Sequence, residues 1–113
     1  MTTESNPAPA PDPLHVTMTT NGQRATLVFS GVLKTHMVGT LEEQLTDPRL
    51  RQARVWELEM RDLARLALPC AYALLRAATT SPAPTELHVR GARRIVRRTL
   101  HEVGFDAVAA FEE

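Results

Sequence analysis

Glu57 to Ala78 reads ELEMRDLARLALPCAYALLRAA, and its two halves follow different rules. Up to Met60 the apolar residues alternate, as in a strand covered on one face; Arg61 and Asp62 then form a polar crossing, and from Pro69 alanine and leucine take over. Proline suits a first helical position, where its missing N–H loses no hydrogen bond. Ala71, Leu74, Leu75 and Ala78 recur at helical spacing, and Ala73 and Ala77 keep a second face small, so this helix is expected to be mostly buried. The stretch reads as a strand, a loop and a buried helix. Its helix start is unusual: Ala67 and Leu68 stand where Ser, Thr, Asp or Asn would satisfy the free N–H groups, and no serine or threonine occurs between Asp47 and Ala78.

Upstream, the alternation over Arg54–Met60 makes Val55, Trp56, Leu58 and Met60 the apolar members of that strand. Before it, Asp47-Pro48 stops a helix or begins a short extra turn. That helix takes Thr35 as its N-cap and Val38, Leu41 and Leu45 as its inward set, with Gly39 weakening the first turns by about 1 kcal/mol. Two strand-like runs precede it, Leu14–Thr19 and Ala25–Ser30, joined across Asn21-Gly22 in a hairpin, with Gly31 ending the second run. Residues 1–13, MTTESNPAPAPDP, lack the apolar area to offset ordering entropy and read as a disordered tail, leaving 14–113 as a single domain.

Downstream, Ser81-Pro82-Ala83-Pro84 is a break and Glu86–Arg90 a short strand. Gly91 permits a sharp entry into a helix over Ala92–Val103, with Ile95, Val96, Thr99, Leu100 and Val103 on one side and Gly104 as its left-handed cap. Ala107–Phe111 reads as a last strand. Strand, strand, helix, strand, helix, strand, helix, strand is an α/β order: a mixed sheet of about five short strands with about three helices packed on it.

Composition narrows function. With 113 residues there is room for one core, and 13 basic against 13 acidic residues supply no overall field for nucleic acid or an anionic membrane. One cysteine excludes an internal disulfide; neither an export signal nor a stretch of about 20 apolar residues is present, so a cytoplasmic setting is expected.

The ending HVRGARRIVRRTLHEVGFDAV, with Gly91, Val96, Leu100, Gly104 and Phe105, resembles that of the STAS domain, the fold of bacterial anti-sigma factor antagonists that also occurs in the tails of sulfate transporters. TLVFSGVL, with Gly31 and Leu33, is similar to that family's second strand and turn, and EMRDLARL followed by the apolar helix is similar to its third strand and the loop after it. The resemblance covers about residues 14–111. It implies a non-enzymatic regulatory module that binds a protein partner, an anti-sigma factor or a kinase-fold regulator, through the start of the second helix and neighbouring loops. Carried onto this chain, that surface comprises Lys34, Thr35, His36, Arg65, Leu66, Ala67, Leu68, Pro69 and Cys70.

Two departures matter. Phosphorylatable members carry Asp, Ser, Ser or Thr, then Gly at that helix start; here those positions are Ala67, Leu68, Pro69 and Cys70, so the phosphoacceptor position is Pro69. A phosphate there would add about two negative charges beside free N–H groups, and without a hydroxyl that switch cannot be installed. The family's final helix also has no counterpart after Phe111, an arrangement expected to leave apolar surface for a homodimer or a tight partner. The alternative function is a STAS-fold oligomerisation or scaffold subunit of a signalling or transport assembly.

Other features carry less. Arg90, Arg93, Arg94, Arg97 and Arg98 form a basic cluster without an aromatic platform, read as the solvated face of an amphipathic helix in preference to an acidic-partner, phosphate or nucleic-acid site. Cys70 reads as a small apolar filler in preference to a redox sensor. His15, His36, His88 and His101 lie in four different elements, so no metal site is expected; no cofactor and no catalytic residue is assigned, because phosphate-cradling glycines, a nucleophile elbow and paired carboxylates are all missing.

Overall fold

Side-chain alternation along the strands sorts this chain into an inward and an outward set. The computed structural model describes residues 14–80 and 85–112; the expected tail over 1–13 and the break at 81–84 lie outside them. The strands are β1 (Val16–Asn21), β2 (Arg24–Leu33), β3 (Val55–Leu66), β4 (Glu86–Arg90) and β5 (Ala109–Glu112). The helices are α1 (Val38–Leu45), α2 (Pro48–Gln52), α3 (Leu68–Thr79) and α4 (Arg94–Glu102), with short 3-10 turns over Thr35–Met37 and Phe105–Ala107. The described residues thus hold four α-helices where about three were expected; the added one, α2, is the short extra turn allowed at Asp47-Pro48, and Asp47 caps it by accepting from the Arg49 N–H at 2.9 Å.

The sheet order is β1-β2-β3-β4-β5, antiparallel between β1 and β2 and parallel thereafter. Parallel neighbours in sequence order, joined by crossovers of one hand, put their connecting helices on one face. Burial agrees. Ala25, Leu27 and Phe29 of β2, Trp56, Leu58 and Met60 of β3 and Leu87 and Val89 of β4 are buried, while the residues between them are not. These side chains and the inner faces of α1, α3 and α4 make one apolar cluster.

Several boundaries differ from the sequence reading. β2 runs through Gly31, which takes φ 77°, and β3 continues past Arg61 and Asp62 to Leu66. Neither is a short strand. Between the pairs Val28↔Glu59 and Ser30↔Asp62, and again between Gly31↔Leu63 and Val32↔Arg65, β3 gains a residue on β2. These are β-bulges, which turn a strand's alternation out of phase. Buried residues therefore step from Met60 to Leu63 to Leu66, and the polar pair lies inside the strand. Thr35 is not the N-cap; Lys34 precedes the 3-10 turn, whose last residue Met37 is buried and accepts from the Lys34 N–H through Sδ at 3.4 Å. Gly104 does take the left-handed cap position, at φ 86°.

The other sheet face is polar. Arg24 pairs with Glu57, and His88 lies between Glu86, at Nε2, and Glu112, whose Oε2 is 2.9 Å from Nδ1. Arg90 pairs with Glu112 at 3.2 Å and approaches Glu59 at 3.8 Å. Hydrogen bonds to Glu86 first and Glu112 second favour the imidazolium, raising the His88 pKa above the ordinary histidine value. A raised pKa stabilises the fold fully below the unfolded value of about 6.5 and loses that contribution as pH climbs through the folded value. Wild type is expected to melt lower at pH 8 than at pH 6, by on the order of 2 °C for so exposed a cluster, and His88→Gln to lose most of that difference in paired thermal melts.

Candidate functional site

The carboxyl ends of β2 and β3 meet at the pair Leu33↔Leu66, and the Ala67 N–H donates to the Leu33 carbonyl at 2.8 Å, extending the ladder by one step before α3 begins. The α3 start has no side-chain cap. Its donors are instead reduced in number: Pro69 has no N–H, and the Cys70 N–H bonds back to the Ala67 carbonyl at 3.0 Å. That leaves the Leu68 N–H as the only first-turn donor without a protein partner among the described residues. What looked like a defective cap is a start with little left to cap.

Around this junction lies an open depression of about 380 Å³. Five of the nine expected partner-binding residues line it: Lys34, Thr35, Arg65, Leu66 and Ala67. His36, Leu68 and Pro69 are exposed nearby in sequence, on the 3-10 turn and at the α3 start. Leu66 and Cys70 are different, being 6% and 0% exposed, so they shape the surface from beneath and present no side chain to a partner. The second bulge turns Leu66 inward, and the phase of α3 buries Cys70 with Ala71 and Leu74. Cys70 Sγ donates to the Lys34 carbonyl at 3.4 Å, tying the start of α3 to the chain after β2. Burial first, and the Glu42 charge second, push its thiol pKa up, which makes it a filler and a poor thiolate.

Val32, Leu33, Ile95 and Thr99 complete the depression and were not expected there. Ile95 read as a core residue, yet it is 47% exposed. Val96, Leu100 and Val103 already form the buried stripe of α4 at i, i+4 and i+7, and Ile95 lies about 100° off that stripe. With Val32 at 37% and Leu68 at 41%, exposed apolar side chains stand at both sides of the junction. The charged residues lining it, Lys34 and Arg65, are both cationic.

The basic cluster is divided between different surroundings. Arg90 belongs to the polar sheet face, Arg93 Nε donates to the Arg61 carbonyl at 3.1 Å, and Arg97 stands 5.5 Å from the Phe111 ring centre. Among the described residues no three His, Cys, Asp or Glu side chains are grouped to hold a metal, and no helix is long and apolar enough to cross a membrane.

No protein-family model matches the sequence, and no curated protein matches it. Solved structures share its fold. A crystal structure of an anti-sigma factor antagonist from Mycobacterium paratuberculosis matches 91% of this chain and 88% of its own, with a TM-score of 0.75 at 16% identity. The anti-sigma factor antagonist SpoIIAA in its unphosphorylated form matches 87% of each chain, with a TM-score of 0.64 at 10% identity. The crystal structure of Mglu matches 72% of this chain and 21% of its own, with a TM-score of 0.59 at 20% identity. The one-sided mixed sheet is thus the STAS fold of the anti-sigma factor antagonists.

Proposed function

We propose that this chain is a regulatory protein-binding module that acts as an anti-sigma factor antagonist, engaging an anti-sigma factor or a related kinase-fold regulator at the β2–β3–α3 junction. The observation that carries this reading is the exposure of Val32, Leu68 and Ile95 around a depression rimmed by Lys34 and Arg65, in a fold shared with anti-sigma factor antagonists. Apolar anchors surrounded by polar groups are the usual anatomy of a recognition surface, and the cationic rim selects an acidic partner. Docking does not depend on phosphorylation at the α3 start, because Pro69 occupies the position that the STAS resemblance assigns to the phosphoacceptor.

Capture from the native host tests this with wild type, Leu68→Asp and Pro69→Ser. Leu68→Asp is expected to lose one specific partner at least tenfold while keeping a native circular dichroism spectrum, since it removes an apolar anchor and sets a carboxylate against an acidic partner. Retention of every partner by that variant would remove the junction as the docking surface. Incubation of wild type with a serine kinase of the host's anti-sigma type is expected to give no phosphosite between residues 47 and 78 by mass spectrometry.

A further inference from the structure

Arg61, Gly91, Ala92, Arg94, Arg97 and Glu112 line an open depression of about 410 Å³ where β4 and β5 end beside the middle of β3. It shares no lining residue with the junction at α3. Three guanidinium groups border it against one carboxylate, and that carboxylate is already engaged: Glu112 Oε1 accepts from Arg90 Nε at 3.2 Å, and Oε2 stands 2.9 Å from His88 Nδ1. Neither the Arg61 nor the Arg94 side chain has a hydrogen-bond or ion-pair partner among the described residues. Like charges gathered beside a single carboxylate that is already engaged repel, and an anion placed between them relieves that repulsion.

The arrangement is held from several sides. Gly91 takes φ 69°, and a Cβ there would stand 3.1 Å from Arg61 Cβ and 3.3 Å from Arg61 Nε. The Arg61 side chain therefore lies along the Gly91 backbone in space that only glycine leaves. Arg93 Nε, bonded to the Arg61 carbonyl at 3.1 Å, fastens the start of α4 to β3, and the Arg97 guanidinium is placed over the Phe111 ring. Cation and ring attract one another, which steadies Arg97 at the rim.

The geometry points to a binding site for a phosphate-type dianion, held by Arg61, Arg94 and Arg97. Guanidinium forks match phosphate oxygens in pairs, and a dianion offsets most of the charge of three cations whose one neighbouring carboxylate is engaged by Arg90 and His88. Inorganic phosphate and a small phosphomonoester share this chemistry.

Amide shifts of the full chain, followed by NMR while inorganic phosphate or phosphoserine is added at constant ionic strength and at a pH where both are dianions, above the monoester's second pKa of about 6 and the higher one of inorganic phosphate, test the site. Saturable shifts are expected at Gly91, Ala92 and Arg94, weakening as sodium chloride is raised. Arg94→Gln, which removes a side chain without protein partners, is expected to weaken binding about tenfold; Arg98→Gln, outside the depression, is expected to leave it unchanged. Phosphoserine binding at least as tightly as phosphate supports a monoester ligand, whereas saturation by phosphate alone supports the free ion. Shifts that never saturate, or that fall equally in the Arg94 and Arg98 variants, overturn the proposal.

Discussion

Trp56→Ala is expected to destabilise the fold by about 4 kcal/mol and to lower the melting temperature by on the order of 15 °C. Trp56 is 1% exposed and lies in register between Ala25 of β2 and Leu87 of β4. The small Ala25 leaves width for the indole, and Nε1 donates to the Leu50 carbonyl at 3.1 Å, seating the five-residue helix α2 on the sheet. The hydrogen bond is the lesser part, because the same carbonyl also accepts from the Ala53 N–H at 3.1 Å and keeps a partner when the indole is gone. Trp56→Phe separates the two contributions: it retains most of the volume, loses the donor, and is expected to cost about 1 kcal/mol. Urea unfolding of both variants measures this, and a cost below about 1 kcal/mol for Trp56→Ala would contradict its place in the core. Against the roughly 5–15 kcal/mol that hold a domain of this size together, the alanine variant is near the limit of folding.

Gly91→Val is expected to cost about 3 kcal/mol. At φ 69° a β-branched residue is strained whatever surrounds it, and the new Cβ would also press on the Cβ and backbone of Arg61 at 3.1 and 3.3 Å. Gly91→Asn carries the same Cβ but tolerates the left-handed conformation, so the difference between the variants reports the conformational part together with the γ-atoms of valine. If Asn and Val melt together, the contact with Arg61 dominates and the backbone conformation contributes little.

Element order was legible in the sequence because it depends on local periodicity. Alternation at Trp56, Leu58 and Met60 and the 3.6-residue recurrence in α3 survive whatever packs against them. The continuation of β3 was not legible, because its extra residues exist only relative to β2: a bulge is a property of a strand pair, and within one strand it looks like a polar interruption such as Arg61-Asp62. The same cause hid the inward turn of Leu66. Ile95 failed for another reason. The sequence reading gave one side of a helix over Ala92–Val103 five inward residues, yet only Val96, Leu100 and Val103 are buried, and Ile95, one position before Val96, turns outward.

The α3 start carries a consequence for how such a chain can change over generations. Where a serine or aspartate side chain caps a helix, that residue answers both to the fold and to whatever recognises it, and most replacements are purged for the first reason. Here the first turn is closed by the Pro69 ring and by the Ala67 carbonyl, neither of which asks for a particular side chain at 67 or 68. Leu68 can therefore be replaced while the fold stays intact, which leaves this corner of the molecule open to rapid change.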